Sequence, residues 1–160
     1  MADNQVLQGT QWQVDFSRNF DEGLSLLAQS SELEDSSVTW VFTPEQWQIA
    51  KEKLNLNTIK CGLRLCGDDN VELLAADIKA FDLIVIGFPH FTDGRGFSIA
   101  AQLRERYQYQ SELRASGYLL VDQLFYLKRC GFDSFVFRNP VDADKAVSAL
   151  ADFSVSYQAS

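Results

Sequence analysis

Pro89-His-Phe-Thr-Asp-Gly-Arg-Gly-Phe97 concentrates more chemistry than any other stretch of this chain. Gly94 and Gly96 admit unusual backbone angles and let a ligand approach closely. They directly precede an expected helix start at Ser98, where free N–H groups and the helix dipole favour an anion. Arg95 between them brings a guanidinium that can grip an oxyanion with two parallel bonds. Asp93 could orient that arginine or act as a base. The same residues also read as a tight turn, with Asp93 as helix cap and Arg95 in solvent.

Other groups join this segment as candidates. Arg114 lies on an expected buried strand, where a guanidinium needs a carboxylate partner; Asp93 or Asp122 would serve. Asp122 and Gln123 read as caps of the next helix and fall in the same layer as Asp93. The candidate anion site is therefore Gly94, Arg95, Gly96, Ser98 and Arg114, supported by Gln123 and Arg129, with Asp93 and Asp122 as acid–base candidates. His90, the single histidine, could be a general base, but without a nucleophile it reads as a loop residue in solvent.

Several familiar sites are excluded. The Gly94-x-Gly96 pair is no dinucleotide fingerprint, because Ile99 stands at the third glycine position and no acid ends the next strand. No Gly-Lys-Ser/Thr follows a glycine run, so there is no phosphate-binding P-loop. Cys61 and Cys66 bracket a strand of about 16 Å, beyond disulfide reach. With Cys130 they fit a reducing compartment as buried, inert thiols. One histidine and three cysteines leave a zinc or iron–sulfur site short of ligands. No metal and no cofactor are expected.

The elements that must position these residues follow from periodicity. Expected strands are 38–42, 62–66, 83–88, 113–120 and 134–138. Thr43 to Gln46 forms a capping box with Pro44 at the first helical position. Asp69 or Asn70 caps a helix through Ala80. A helix from Ser98 to Tyr107 turns Ile99, Leu103 and Tyr107 to one face. Asp122 caps a helix to Cys130, with Gly131 as its stop. A last helix spans about 142–152. Alternating strands and helices predict a mostly parallel α/β sheet of about five strands, either an open sheet or a partial barrel. In both cases the site sits at the carboxyl ends of the strands. Residues 1–37 read as an arm and acidic linker, with Trp12, Val14 and Phe16 in strand alternation. Residues 38–152 form one domain, and 153–160 a frayed tail.

The chain has 160 residues and a net charge of −8, with 46% apolar residues. Acidity disfavours nucleic-acid binding, and no apolar run nears the roughly 20 residues of a membrane span. The start of the chain lacks the basic and apolar regions of a signal peptide, so a cytoplasmic protein is expected. Residues 1–60 carry −5, 61–91 carry −3, 92–138 carry +2 and 139–160 carry −2. Six of the eight arginines fall in 92–138, either as a solvated helix face or as a site for a small anion or acidic partner.

Phe88 to Ser98, Leu103 to Arg106, Glu112 to Gly117, Asp122-Gln123 and Arg129 to Asp133 resemble a bacterial family of unknown function. The resemblance spans about residues 38–140. Ser111 stands where that family usually has glycine. Its members are typically encoded beside assimilatory sulfite reductase and often labelled oxidoreductases of sulfite reduction. The resemblance implies an accessory protein of sulfite or sulfate reduction that binds a small oxyanion or docks on sulfite reductase subunits. Two rival readings stand beside it. One is an enzyme on a small anionic substrate, with Asp93 or Asp122 as acid–base group and Arg95 as anchor. The other is a pure protein-interaction module.

Overall fold

The computed structural model describes residues 5–8, 11–14, 17–19, 38–53, 59–90, 94–138, 145–146 and 148–149. Eight strands form one open sheet, in the order β2-β1-β8-β7-β6-β5-β4-β3. The five expected parallel strands are β4 (Thr39–Phe42), β5 (Lys60–Leu65), β6 (Leu83–Phe88), β7 (Glu112–Gly117) and β8 (Ser134–Phe137). β3 (Ser17–Asn19) adds a parallel edge beside β4. β1 (Gln5–Gln8) and β2 (Gln11–Val14) form an antiparallel hairpin, and β1 pairs antiparallel with β8.

From β3 to β8 each strand lies beside its predecessor, so the winding never reverses. The parallel part has no switch point, the usual ligand crevice of doubly wound sheets. Helices alternate with these strands: α1 (Pro44–Lys53), α2 (Arg95–Ala101) and α3 (Leu124–Cys130). Trp47 and Ala50 of α1, Ile99 and Ala100 of α2, and Leu124 and Leu127 of α3 bury into one cluster. That cluster also holds Phe42, Leu63, Leu65, Ile84, Ile86, Leu113, Ala115 and Phe135. Strand side chains alternate between faces, so these helices share one face of the sheet. Val41, Leu83 and Val85 form a separate buried cluster on the other.

The capping box is formed: the Thr43 amide donates to Gln46 Oε1 at 2.9 Å, and the Gln46 amide to Thr43 Oγ1 at 3.2 Å. Asn70 Oδ1 caps its segment by accepting from the Glu72 amide at 3.0 Å. That segment is two 3₁₀ turns, Val71–Leu74 and Ile78–Ala80, rather than one α-helix. Val71 and Leu74, three apart, are both buried, a spacing that the three-residue turn aligns. α2 begins at Arg95 rather than Ser98 and passes into a π-turn at Gln102–Arg106, closed by the Tyr107 amide on Gln102 O at 3.1 Å.

β7 stops at Gly117, short of the expected Leu120. Gly117 has φ +121°, and a Cβ there would lie 2.4 Å from Phe88 O; only glycine fits this left-handed turn. Gly131 ends α3 in the left-handed conformation, as expected. The last expected helix falls largely outside the described residues; 145–146 and 148–149 are helical, with Ala146 buried. Among the described residues no helix is long and apolar enough to cross a membrane.

Candidate functional site

The carboxyl ends of β5, β6 and β7 present Cys66 to Asp69, His90 and the start of α2, and Tyr118 to Gln123. Gly94, Arg95, Gly96 and Ser98 come together in the first turn of α2. Gly94 is the N-cap at φ −89° and, as a glycine, offers no side chain of its own to the first-turn amides. Gly96 is buried. A Cβ there would meet the Phe88 ring at 2.6 Å and Ile86 Cγ2 at 3.0 Å. Glycine at 96 thus lets the helix press against β6.

Arg95 reaches across Gly67 and pairs with Asp68, in the loop after β5. Both side chains are more than half exposed. Asp68 was not among the residues expected from sequence. The pairing follows from the strand order, which sets the loop after β5 beside the helix that follows β6. Asp93 lies outside the described residues. His90 is exposed just beyond β6.

Asp122 and Gln123 lie in a 3₁₀ turn, Val121–Gln123, leading into α3. Neither acts as a cap: no side-chain bond is made at Leu120 or Gln123, the two N-cap positions. Arg129 is exposed in the last turn of α3, away from the start of α2.

Arg114 stands apart from Arg95. It alternates with Leu113 and Ala115, which face the helices, and is in register with Val85 on the opposite face. It is buried, and its guanidinium donates to Glu112 Oε1 at 2.9 Å and Ser134 Oγ at 3.2 Å. Ser134 Oγ donates to the same Glu112 oxygen at 2.7 Å. The carboxylate expected from the carboxyl-end loops is instead two residues back on the same strand, where side chains share a face.

The other arginines divide in use. Arg104 is spent on internal acceptors, as is shown by five bonds from its guanidinium to Gly131 O, Tyr109 O, Ser111 O and Asp133 Oδ2. Arg106 pairs with Glu72 at the surface, 2.9 Å away. Arg138 lies over the Tyr118 ring, 5.0 Å from its centroid.

Cys61 is buried on β5, and burial, aided by the Asp82 carboxylate, pushes its thiol up to about 12. Cys66 is exposed rather than buried as expected, because β5 ends at Leu65. Partial burial and Asp69 push its thiol up too, which keeps it a weak nucleophile at neutral pH. Burial likewise raises Cys130. Among the described residues no group of three or more His, Cys, Asp or Glu side chains is placed to hold a metal ion.

The rim thus offers a surface guanidinium in the first turn of a helix whose N-cap is a glycine, an arrangement suited to an oxyanion. No curated protein matches the chain. Residues 62–160, well over half of its length, match the family described as "Bacterial protein of unknown function (DUF934)", and the chain belongs to that family.

Proposed function

We propose that the chain is an accessory protein of assimilatory sulfite and sulfate reduction that binds a small oxyanion at the carboxyl rim or docks there on sulfite reductase. The pathway rests on the motif resemblance. The oxyanion reading rests on one observation: Arg95, held by Asp68 across Gly67, stands in the first turn of α2, directly after the glycine N-cap. An exposed ion pair of this kind is worth little, typically about 0–1 kcal/mol. A doubly charged anion that also takes up the first-turn amides can therefore displace Asp68 without unfolding anything.

The test is a titration of the ¹⁵N-labelled protein with sulfite and sulfate, with chloride matched for ionic strength. Amides of residues 94–98 should shift first, and Arg95→Ala should abolish the shift. Unmoved amides at millimolar sulfite would refute oxyanion binding. The docking arm is read by affinity purification from cells grown on sulfate as sole sulfur source. Sulfite reductase subunits should co-purify.

A further inference from the structure

Four large apolar side chains stand exposed among the described residues: Ile49, Leu73, Leu120 and Tyr126. Ile49 is 50% and Leu73 79% exposed. They come from α1 and the Val71–Leu74 turn; Trp47 Nε1 and Lys51 Nζ of α1 both donate to Asp77 Oδ2, which follows that turn at the N-cap position of the next, at 3.1 and 3.2 Å. Between these elements lies an open groove of about 210 Å³. Pro44, Leu73 and Leu74 give it apolar walls, Glu45 and Asp69 also line it, and no basic residue does among the described residues.

Folding does not account for Leu73. Val71 and Leu74 supply the buried side of the turn, so position 73 must face water, where a polar residue would be cheaper. A single exposed leucine is ordinary, but this one walls a groove with Pro44 and Leu74. The carboxylates have local duties: Glu45 complements the α1 dipole, and Asp69 Oδ2 accepts from the Cys66 amide at 2.7 Å. Both keep oxygens free for a further cation, since a carboxylate accepts about four bonds. Asp68, Glu72 and Asp77 nearby are already paired with Arg95, Arg106 and Lys51, so a positive partner would meet Glu45 and Asp69.

We infer that this groove docks a segment of a partner protein in which an apolar side chain is flanked by lysine or arginine. The apolar side chain fills the groove and the cations meet Glu45 and Asp69. The inference is independent of oxyanion binding at Arg95, and either can fail alone.

The probe is a fluorescent synthetic peptide of alternating lysine and leucine, with a glutamate-for-lysine counterpart, read by anisotropy. The lysine peptide should bind the full chain and the glutamate peptide should not. Leu73→Asp should weaken binding by about tenfold or more, the scale of losing one buried aliphatic side chain. It does so while adding a negative charge, which separates groove filling from general attraction to an acidic protein. Glu45→Lys should also weaken binding, and Glu105→Lys, on a different element, should change it less than about twofold. Leu73 is exposed, so the variant keeps its fold, checked by circular dichroism. Undiminished binding by Leu73→Asp would overturn the inference, as would amide shifts outside residues 44–49 and 69–74. So would self-association of the wild type, lost in Leu73→Asp, which would make a second copy the occupant.

Discussion

Arg104→Ala should cost this fold about 3 kcal/mol. The guanidinium uses all five of its donors: Nε and Nη2 on Gly131 O at 3.0 and 2.7 Å, Nη1 on Tyr109 O and Ser111 O at 2.7 and 2.9 Å, and Nη2 on Asp133 Oδ2 at 2.8 Å. Those acceptors end α3 and border β7 and β8, so one side chain ties three segments together. Asp133 is 48% exposed and would return largely to water. It also keeps the Leu113 amide at 3.0 Å. The Ser111 carbonyl belongs to an exposed residue and would rehydrate likewise. The carbonyls of Gly131 and Tyr109 are more sheltered, and at about 1.5 kcal/mol for each charged bond lost they set the figure. For a chain of this size that is a melting temperature lower by roughly 6–12 °C. Urea unfolding and calorimetry, with Arg106→Ala as the surface comparison, would measure it. Arg104→Lys should recover only a minor part, because one ammonium cannot span acceptors arranged for a planar fork. An Arg104→Ala protein melting within about 2 °C of wild type would refute the reasoning.

Arg114→Ala should destabilise by about 3 kcal/mol, since it strands Glu112 and Ser134 in a buried cluster; replacing Arg114 and Glu112 together by methionine should recover most of the loss in urea unfolding. Gly117→Ala should cost more than about 2 kcal/mol, combining left-handed strain with a Cβ driven onto Phe88 O; an unchanged urea midpoint would show that β6 and β7 yield freely there. Stability should hold below pH 9 and fall as pH rises from 9 towards 12. Unfolding releases Cys61 to ionise near its ordinary value of 9.0, while the folded thiol holds its proton to about 12. Tyr109, raised by burial, acts in the same direction above pH 10. Urea midpoints at stepped alkaline pH should fall less steeply in Cys61→Ala.

Strands β4, β6 and β8 were readable because each is a short apolar run bounded by turn residues, and Leu83–Phe88 matches its expected limits. Asn70 and Gly131 announced their caps by residue type alone. The readings that missed depended on neighbours distant in sequence. The partner of Arg114 was sought in the loops because the loops carried aspartates, yet alternation along β7 already placed Glu112 on its face. Gly94 and Gly96 looked alike as a ligand cradle. Only the packed strand reveals that Gly96 is small because Phe88 is large. Asp68 was missed as the partner of Arg95 because 27 residues separate them, and the order of strands in the sheet was needed to join them.

The winding has a consequence for how the chain matures. Between β4 and β8 each new strand emerges beside the one just made, so most of the sheet can grow by accretion from contacts of modest sequence separation. The hairpin at the start is the exception. Leu7 and Gln8 pair with Phe135 and Ser134, so β1 must wait for a strand synthesised long after it. Until β8 appears, the hairpin has no edge to join, and afterwards β8 stays open until the hairpin arrives. Joining the hairpin to β8 is thus a long-range closure, with an unpaired edge exposed to other chains in the interval.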